Sequence, residues 1–75
     1  MTTEAFVLRQ ADEPLLEKIP ERFVQPLRLA HTGIGYKSVA EQLNIPLNTA
    51  KTRVHRARQK LLHLRKTVQN KTAQS

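Results

Sequence analysis

Apolar residues recur at steps of three and four positions along most of this chain, and polar residues occupy the positions between them. This period is typical of amphipathic helices, because residues three and four apart share one face of a helix. No strand pattern competes with it, and only four prolines and two glycines interrupt it. The pattern therefore predicts a small all-α domain of three to four helices.

Two helices are predicted in the first half of the chain. Asp12 can cap the first one, because an aspartate side chain can accept a hydrogen bond from the first turn of a helix. Pro20 breaks that helix and suits the first position of the next one, which Pro26 could kink. Gly33 is expected to end the second helix in a left-handed conformation. The residues expected to face inward are Leu15, Leu16, Ile19, Phe23, Leu27, Leu29 and Ala30.

A helix, a short turn and a longer helix follow, which together predict a C-terminal helix-turn-helix. The first helix of the pair covers residues 36–43, and Ala40 offers the small side chain that two crossing helices need at their closest approach. Asn44 tolerates the left-handed conformation that the turn requires, and Ile45 would fill the gap between the helices. The inward positions of the pair are Val39, Ala40, Leu43, Ala50, Val54, Ala57, Leu61 and Leu64.

The long second helix sets the predicted limits of the domain. It is expected to begin near residues 46–48 and to end at about Arg65, a length of roughly 27 Å at about 1.5 Å per residue. Residues 67–75 have no apolar period and are expected to form a flexible tail. Residues 1–11 are predicted to be weakly structured or to form a short helix, so the helix-turn-helix domain would span residues 12–66.

Charge is distributed unevenly along the chain. Residues 1–45 hold five basic and six acidic side chains, a net charge of −1, whereas residues 46–75 hold eight basic side chains and no acidic one, a net charge of +8. Solvent-exposed helices usually carry both acidic and basic residues, because each oppositely charged pair four residues apart stabilises the helix by roughly 0.2–0.5 kcal/mol. A basic helix without acids could still be only a solvated face, but its simplest counter-charge is a nucleic acid.

Several residues of the long helix are candidates for contacts with DNA. In a helix-turn-helix, the N-terminal part of the second helix meets base edges in the major groove, while the first helix crosses the backbone. Lys37 and Ser38 could add a phosphate contact at the start of that first helix. The candidate base contacts are Asn48, Lys51, Thr52 and His55. The set is completed by Thr49 and by three arginines better placed for phosphates, Arg53, Arg56 and Arg58. Asn48 could instead only cap its helix.

Other chemistries fit the chain poorly. It contains no cysteine, and its three histidines lack the spacing and the acidic company of a zinc site. No nucleophile has a base beside it and no glycine-rich phosphate loop is present, so we expect neither an enzyme nor a cofactor. Two Phe and one Tyr are too few to bind single strands by stacking, and Tyr36 is expected to pack. No signal peptide or membrane-spanning run is evident, which predicts a cytoplasmic protein without membrane contact.

The order of motifs in residues 15–64 is specific. A proline-led helix and a glycine-containing turn precede an aromatic residue, an A-E-x-L helix, an I-P turn and the motif T-x-K-[ST]-R-[LV]-H-R-A-R-x-K-L. This order resembles region 4, the C-terminal promoter-reading domain of bacterial sigma factors of the extracytoplasmic-function type. The residues that fit the last motif are Thr49, Lys51, Thr52, Arg53, Val54, His55, Arg56, Ala57, Arg58, Lys60 and Leu61.

The resemblance implies a specific pair of partners. The recognition helix would read the −35 promoter element in double-stranded DNA, and the near-neutral first half would contact the flap of the RNA polymerase beta subunit. Asn48 stands where the family commonly has glycine, and Ala50 where it has a larger aliphatic residue, so base preference and core packing are expected to differ. The sigma domain that melts the −10 element is absent, so we expect an excised domain or a stand-alone regulator.

Two other functions share these features. A protein-interaction module would dock on RNA polymerase or on an anti-sigma factor and bind DNA only weakly. An output domain of the response-regulator type would share the fold but form a dimer, whereas a sigma-like domain is expected to be a monomer.

Overall fold

The computed structural model describes the backbone of residues 8–74 and the side chains of residues 8–68. No strand occurs in this part of the chain, and the predicted small all-α domain with a C-terminal helix-turn-helix is confirmed. The short helix considered for residues 1–11 falls mostly on residues 1–7, which lie outside the described range. A 3-10 turn at Gln10–Asp12 leads into four helices: α1 (Glu13–Leu16), α2 (Glu21–His31), α3 (Gly35–Leu43) and α4 (Leu47–Gln74).

The larger hydrophobic cluster joins α1 and α2 to the middle of α4. Val24 is 2% exposed although the sequence pattern had not placed it inward, whereas Phe23 is only half-buried. The buried face of α2 is wider than a single stripe because α2 packs against both α3 and α4. Pro26 is buried and α2 continues through it. The buried members of this cluster are Leu16, Ile19, Val24, Leu27, Val54, Ala57 and Leu61.

The turn between α3 and α4 has the hydrogen bonds of a Schellman motif. The N–H of Ile45 donates to the carbonyl of Ala40 over 3.0 Å, and the N–H of Asn44 donates to that of Glu41 over 3.2 Å. Asn44 has φ 57° and ψ 48°, so its predicted left-handed conformation is confirmed. Ile45 packs against a second cluster formed by Val39, Ala40 and Ala50. This confirms the prediction that the small side chain of Ala40 lies where the two helices contact each other.

The connection between α2 and α3 contains the predicted left-handed glycine. Gly33 has φ 88°, and its N–H donates to the carbonyl of Ala30 over 3.0 Å. Gly35, which begins α3, has φ 86°. Two positive φ values in three residues reverse the chain tightly, and glycine adopts them without the steric cost of a side chain.

Helix α4 is longer than the sequence pattern suggested. It has 28 residues, about 42 Å, and ends at Gln74 rather than near Arg65. No Pro or Gly follows Arg65, so nothing stops the helix where its apolar period ends. The helical backbone therefore includes most of the segment that was expected to be a flexible tail. The predicted stripe of Ala50, Val54, Ala57 and Leu61 is fully buried, and Leu64 is half-buried.

A hydrogen-bonded ion pair between Asp12 and Arg65 joins the beginning of the described chain to the C-terminal half of α4. Its carboxylate accepts hydrogen bonds from the N–H of Arg9 (2.8 Å) and from Nε and Nη2 of Arg65 (2.9 and 2.5 Å). Asp12 is 3% exposed, and the Arg65 hydrogen bond is the main cause of its lowered pKa, which burial alone would raise. The prediction that the Asp12 side chain caps α1 is therefore wrong, and Arg65 has an acidic partner from the other half of the chain.

Candidate nucleic-acid interface

The N-terminal half of α4 displays most of the predicted DNA contacts on its surface. Because the apolar stripe of α4 is buried against α2 and α3, the remaining circumference of the helix is open to a partner. Lys37 is exposed and Ser38 half-buried near the start of α3. On α4, the exposed candidates are Asn48, Lys51, Thr52, His55 and Arg56, and the half-buried ones are Thr49, Arg53 and Arg58.

One groove gathers five of these candidates and adds two residues of α2. Its α4 wall is formed by Asn48, Thr49, Thr52, Arg53 and Arg56. Its other wall is formed by Arg22 and Phe23. The groove therefore collects three guanidinium groups from two helices around amide and hydroxyl groups, a combination suited to phosphate oxygens. It does not include Lys37, Ser38, Lys51, His55 or Arg58.

Arg22 and Phe23 are the site residues that the sequence did not reveal. The guanidinium carbon of Arg22 lies 5.1 Å from the centre of the Phe23 ring, and Nζ of Lys60 lies 6.0 Å from it, both within range of a cation–π contact. Phe23 thus lies between cations of α2 and α4. No spacing in the sequence shows which residue of α2 faces α4, because that depends on how the two helices cross.

The acidic residue next to the groove in sequence, Glu21, lines another surface. Glu21 precedes Arg22 but lines a separate groove with Arg28, whose pKa is raised mainly by a hydrogen bond to Glu13 and slightly by Glu21. Within residues 8–68, ion pairs join Arg28 to Glu13 at 2.9 Å and Arg65 to Asp12, and neither pair involves a residue of the groove. The groove is consequently lined by three arginines and by no acidic residue, which favours an anionic partner.

The first turn of α4 adds backbone donors to the same end of the helix. The carbonyl of Pro46 accepts the N–H of Ala50 over 3.0 Å, which is the first hydrogen bond of the helix. The N–H groups between these two residues have no acceptor within α4, and the positive end of the helix dipole lies there. Pro46 is therefore the N-cap residue of α4, and Asn48 lies within the first turn. The alternative prediction, that Asn48 only caps the helix, is wrong.

Within residues 8–68, no group of three or more His, Cys, Asp or Glu side chains is arranged to hold a metal ion. In the same part of the chain, no helix combines the length and the apolar character needed to cross a membrane.

In this helix-turn-helix, a buried apolar stripe holds the second helix, a left-handed residue forms the turn, and the outer face of the second helix has no acidic residue. These features are typical of a DNA-binding domain. A family model described as sigma-70, region 4, matches residues 15–61, and the chain belongs to this family. It is a family of non-catalytic, DNA-binding sigma-factor domains that act in transcription initiation. No curated protein and no solved structure matches the chain.

Proposed function

We propose that this domain reads the −35 element of bacterial promoters by binding duplex DNA sequence-specifically. The observation that carries the proposal is the exposed, acid-free N-terminal half of α4, held outward by its buried stripe. The major groove is about 12 Å wide and admits one α-helix, whose N-terminal residues then meet the base edges. Promoters and RNA polymerase both lie in the bacterial cytoplasm, where the domain would act.

Four exposed side chains of α4 would read the bases. The ammonium group of Lys51 can donate to O6 and N7 of guanine, and the amide of Asn48 can pair with N6 and N7 of adenine. The methyl group of Thr52 can contact the methyl group of thymine, and His55 lies one turn further along the same outward face. All four are exposed, so they can reach a base without rearrangement of the core.

The remaining predicted residues would bind the sugar-phosphate backbone and fix the register of the helix. Thr49, Arg53 and Arg56 share the groove with Arg22, whereas Arg58 lies on another side of α4. Lys37 and Ser38 lie in the first turn of α3, where the helix dipole favours an anion. Such contacts give affinity and orientation but no direct sequence information.

Selection from random duplexes by the 75-residue chain is the direct test of this function. Enrichment of a motif like a −35 element would support sequence-specific promoter reading. If no motif is enriched even at low salt, where phosphate contacts are strongest, base reading by α4 is excluded.

The second proposed contact is with the flap of the RNA polymerase beta subunit. A groove between α2 and α3 is lined by the half-buried Leu29 and Leu43, together with Glu21, Gln25 and Arg28. Its apolar floor and mixed charges suit a protein partner better than DNA. A charge reversal, Glu21→Lys, should weaken capture of the purified flap, and Glu17→Lys on the exposed surface of the α1–α2 connection is the matched control.

A DNA titration beside the flap capture separates the two functions. Tight binding of the flap or of an anti-sigma factor, with weak binding to every duplex, would favour the interaction module. Sedimentation of the free chain tests the expected monomer, and a dimer would favour an output domain of the response-regulator type.

A further inference from the structure

The length of α4 requires it to leave the major groove. The helix is about 42 Å long, while the groove is about 12 Å wide and 8.5 Å deep. Only its first turns can lie against base edges. The later turns must therefore leave the groove, and the part of the duplex nearest to them is the phosphate backbone that borders it.

One flank of those later turns is cationic and faces a second cationic wall. Arg53, Arg56, Lys60 and His63 follow one another at steps of three and four, so they share one side of α4. Lys18 lines a second groove with Lys60 and His63, next along α4 from the groove that Arg22 forms with Arg53 and Arg56. The Phe23 ring, close to both Arg22 and Lys60, connects the two grooves.

The opposite flank of α4 has a different chemistry. There Arg65 is bound by the buried Asp12, and the exposed apolar side chains of Leu62 and Val68 lie beside it. A polyanion would meet a neutralised ion pair and apolar surface on that side. Among residues 8–68, the flank facing Lys18 and Arg22 presents basic side chains from α4 and from an earlier segment of the chain, and no acidic residue lines either groove.

We infer that the strip formed by Lys18, Arg22, Arg56, Lys60 and His63 binds the backbone of one DNA strand that flanks the bases read by α4. The inference rests on the proposed DNA-binding function and extends it, because it continues the backbone contact from the groove of Arg22 and Arg56 to Lys18, Lys60 and His63. The strip contacts phosphates only, so its contribution is independent of the flanking sequence.

The test compares Lys18→Gln/Lys60→Gln, which changes two residues of the second groove, with the wild-type chain on two duplexes. Both residues are exposed, so their replacement leaves the core intact, and Arg9→Gln/Lys66→Gln on the Leu62 flank, which also removes two charges, is the matched control. One duplex ends at the selected site and the other extends about one helical turn, roughly 10 base pairs, on each side. Ethylation interference on the long duplex identifies the phosphates that each variant contacts.

On the long duplex, the double variant should bind more weakly by at least tenfold at 0.1 M salt, and its salt slope should flatten by about 2, one unit per lost phosphate contact. The interference signal at the flanking phosphates of one strand should disappear. On the short duplex, the affinity should change less than twofold. A result equal to that of Arg9→Gln/Lys66→Gln, or an equal loss on both duplexes, would overturn the inference.

The experiments distinguish an error in the inference about the strip from an error in the proposed base reading. If selection gives no preferred site, the proposed function fails, but the salt slope on a long random duplex still tests the strip. An unchanged slope for the double variant on that duplex would overturn the inference, and a slope flattened by about 2 would support it.

Discussion

Lys51 is exposed on the outward side of α4, away from the arginine-rich groove. If it reads a guanine, Lys51→Ala should cost about 1–3 kcal/mol on the selected duplex and much less on random DNA, because only the specific complex uses the bidentate contact. Fluorescence anisotropy on both duplexes measures the difference. Equal losses on the two duplexes would reassign Lys51 to a phosphate, and Lys66→Ala controls for the loss of one positive charge.

Arg65 is a basic residue of α4 whose counter-charge, Asp12, comes from the first half of the chain. Replacement by Gln removes its charged hydrogen bonds and leaves the Asp12 carboxylate buried without its cation. We expect the free energy of unfolding at pH 7 to fall by about 1–3 kcal/mol, less than for a fully buried pair because Arg65 is partly exposed. Thermal unfolding of Arg65→Gln beside Lys66→Gln measures the effect, and equal melting temperatures would contradict it.

The same ion pair predicts a pH dependence. Arg65 lowers the pKa of Asp12 in the folded state, so the stabilisation is fully present above the ordinary aspartate pKa of about 3.9. It is lost as the pH falls through the lowered pKa, because Asp12 is then protonated in both states. The stability gap between wild type and Arg65→Gln should therefore narrow on acidification below that pH. A gap that stays constant or widens there would exclude Asp12 as its source.

At the scale of the elements, Asn44 determines whether α3 stops where α4 must begin. Its left-handed conformation costs an ordinary residue roughly 1–2 kcal/mol, whereas glycine adopts it freely. Asn44→Ala should therefore unfold at lower urea concentration than Asn44→Gly, which should stay close to the wild type. The exposed Gln42→Ala within α3 controls for the change to alanine. Equal midpoints for the two Asn44 variants would contradict the role assigned to the turn.

Local chemistry explains which elements could be predicted from the sequence. The buried stripe of α4 and the turn at Asn44 depend on residues close together in the chain, and both are confirmed. Val24, Arg22 and the partner of Arg65 depend on how distant segments meet. Asp12 and Arg65 are 53 positions apart, so no periodicity connects them. The base-reading roles of Asn48, Lys51, Thr52 and His55 stay predictions, since they concern a partner.

At the scale of the whole molecule, the separation of charge predicts a steep salt dependence. If roughly 5 to 7 phosphates are neutralised, the logarithm of the affinity should fall against the logarithm of salt concentration with a slope near −5 to −6. Titrations of one duplex across salt concentrations measure this slope. An affinity that hardly changes would exclude a mainly electrostatic complex. The Lys18→Gln/Lys60→Gln variant, with two positive charges fewer, provides the comparison.

The buried contact between Asp12 and Arg65 also determines where an attached group would sit. It places residues 9–12 beside a point on α4 that is 17 residues, about 26 Å, beyond Asn48. A fluorophore attached at the exposed Gln10 would therefore lie near the rear of α4. The end of α4 that carries the proposed base contacts would stay uncovered, which makes this position suitable for a labelled form.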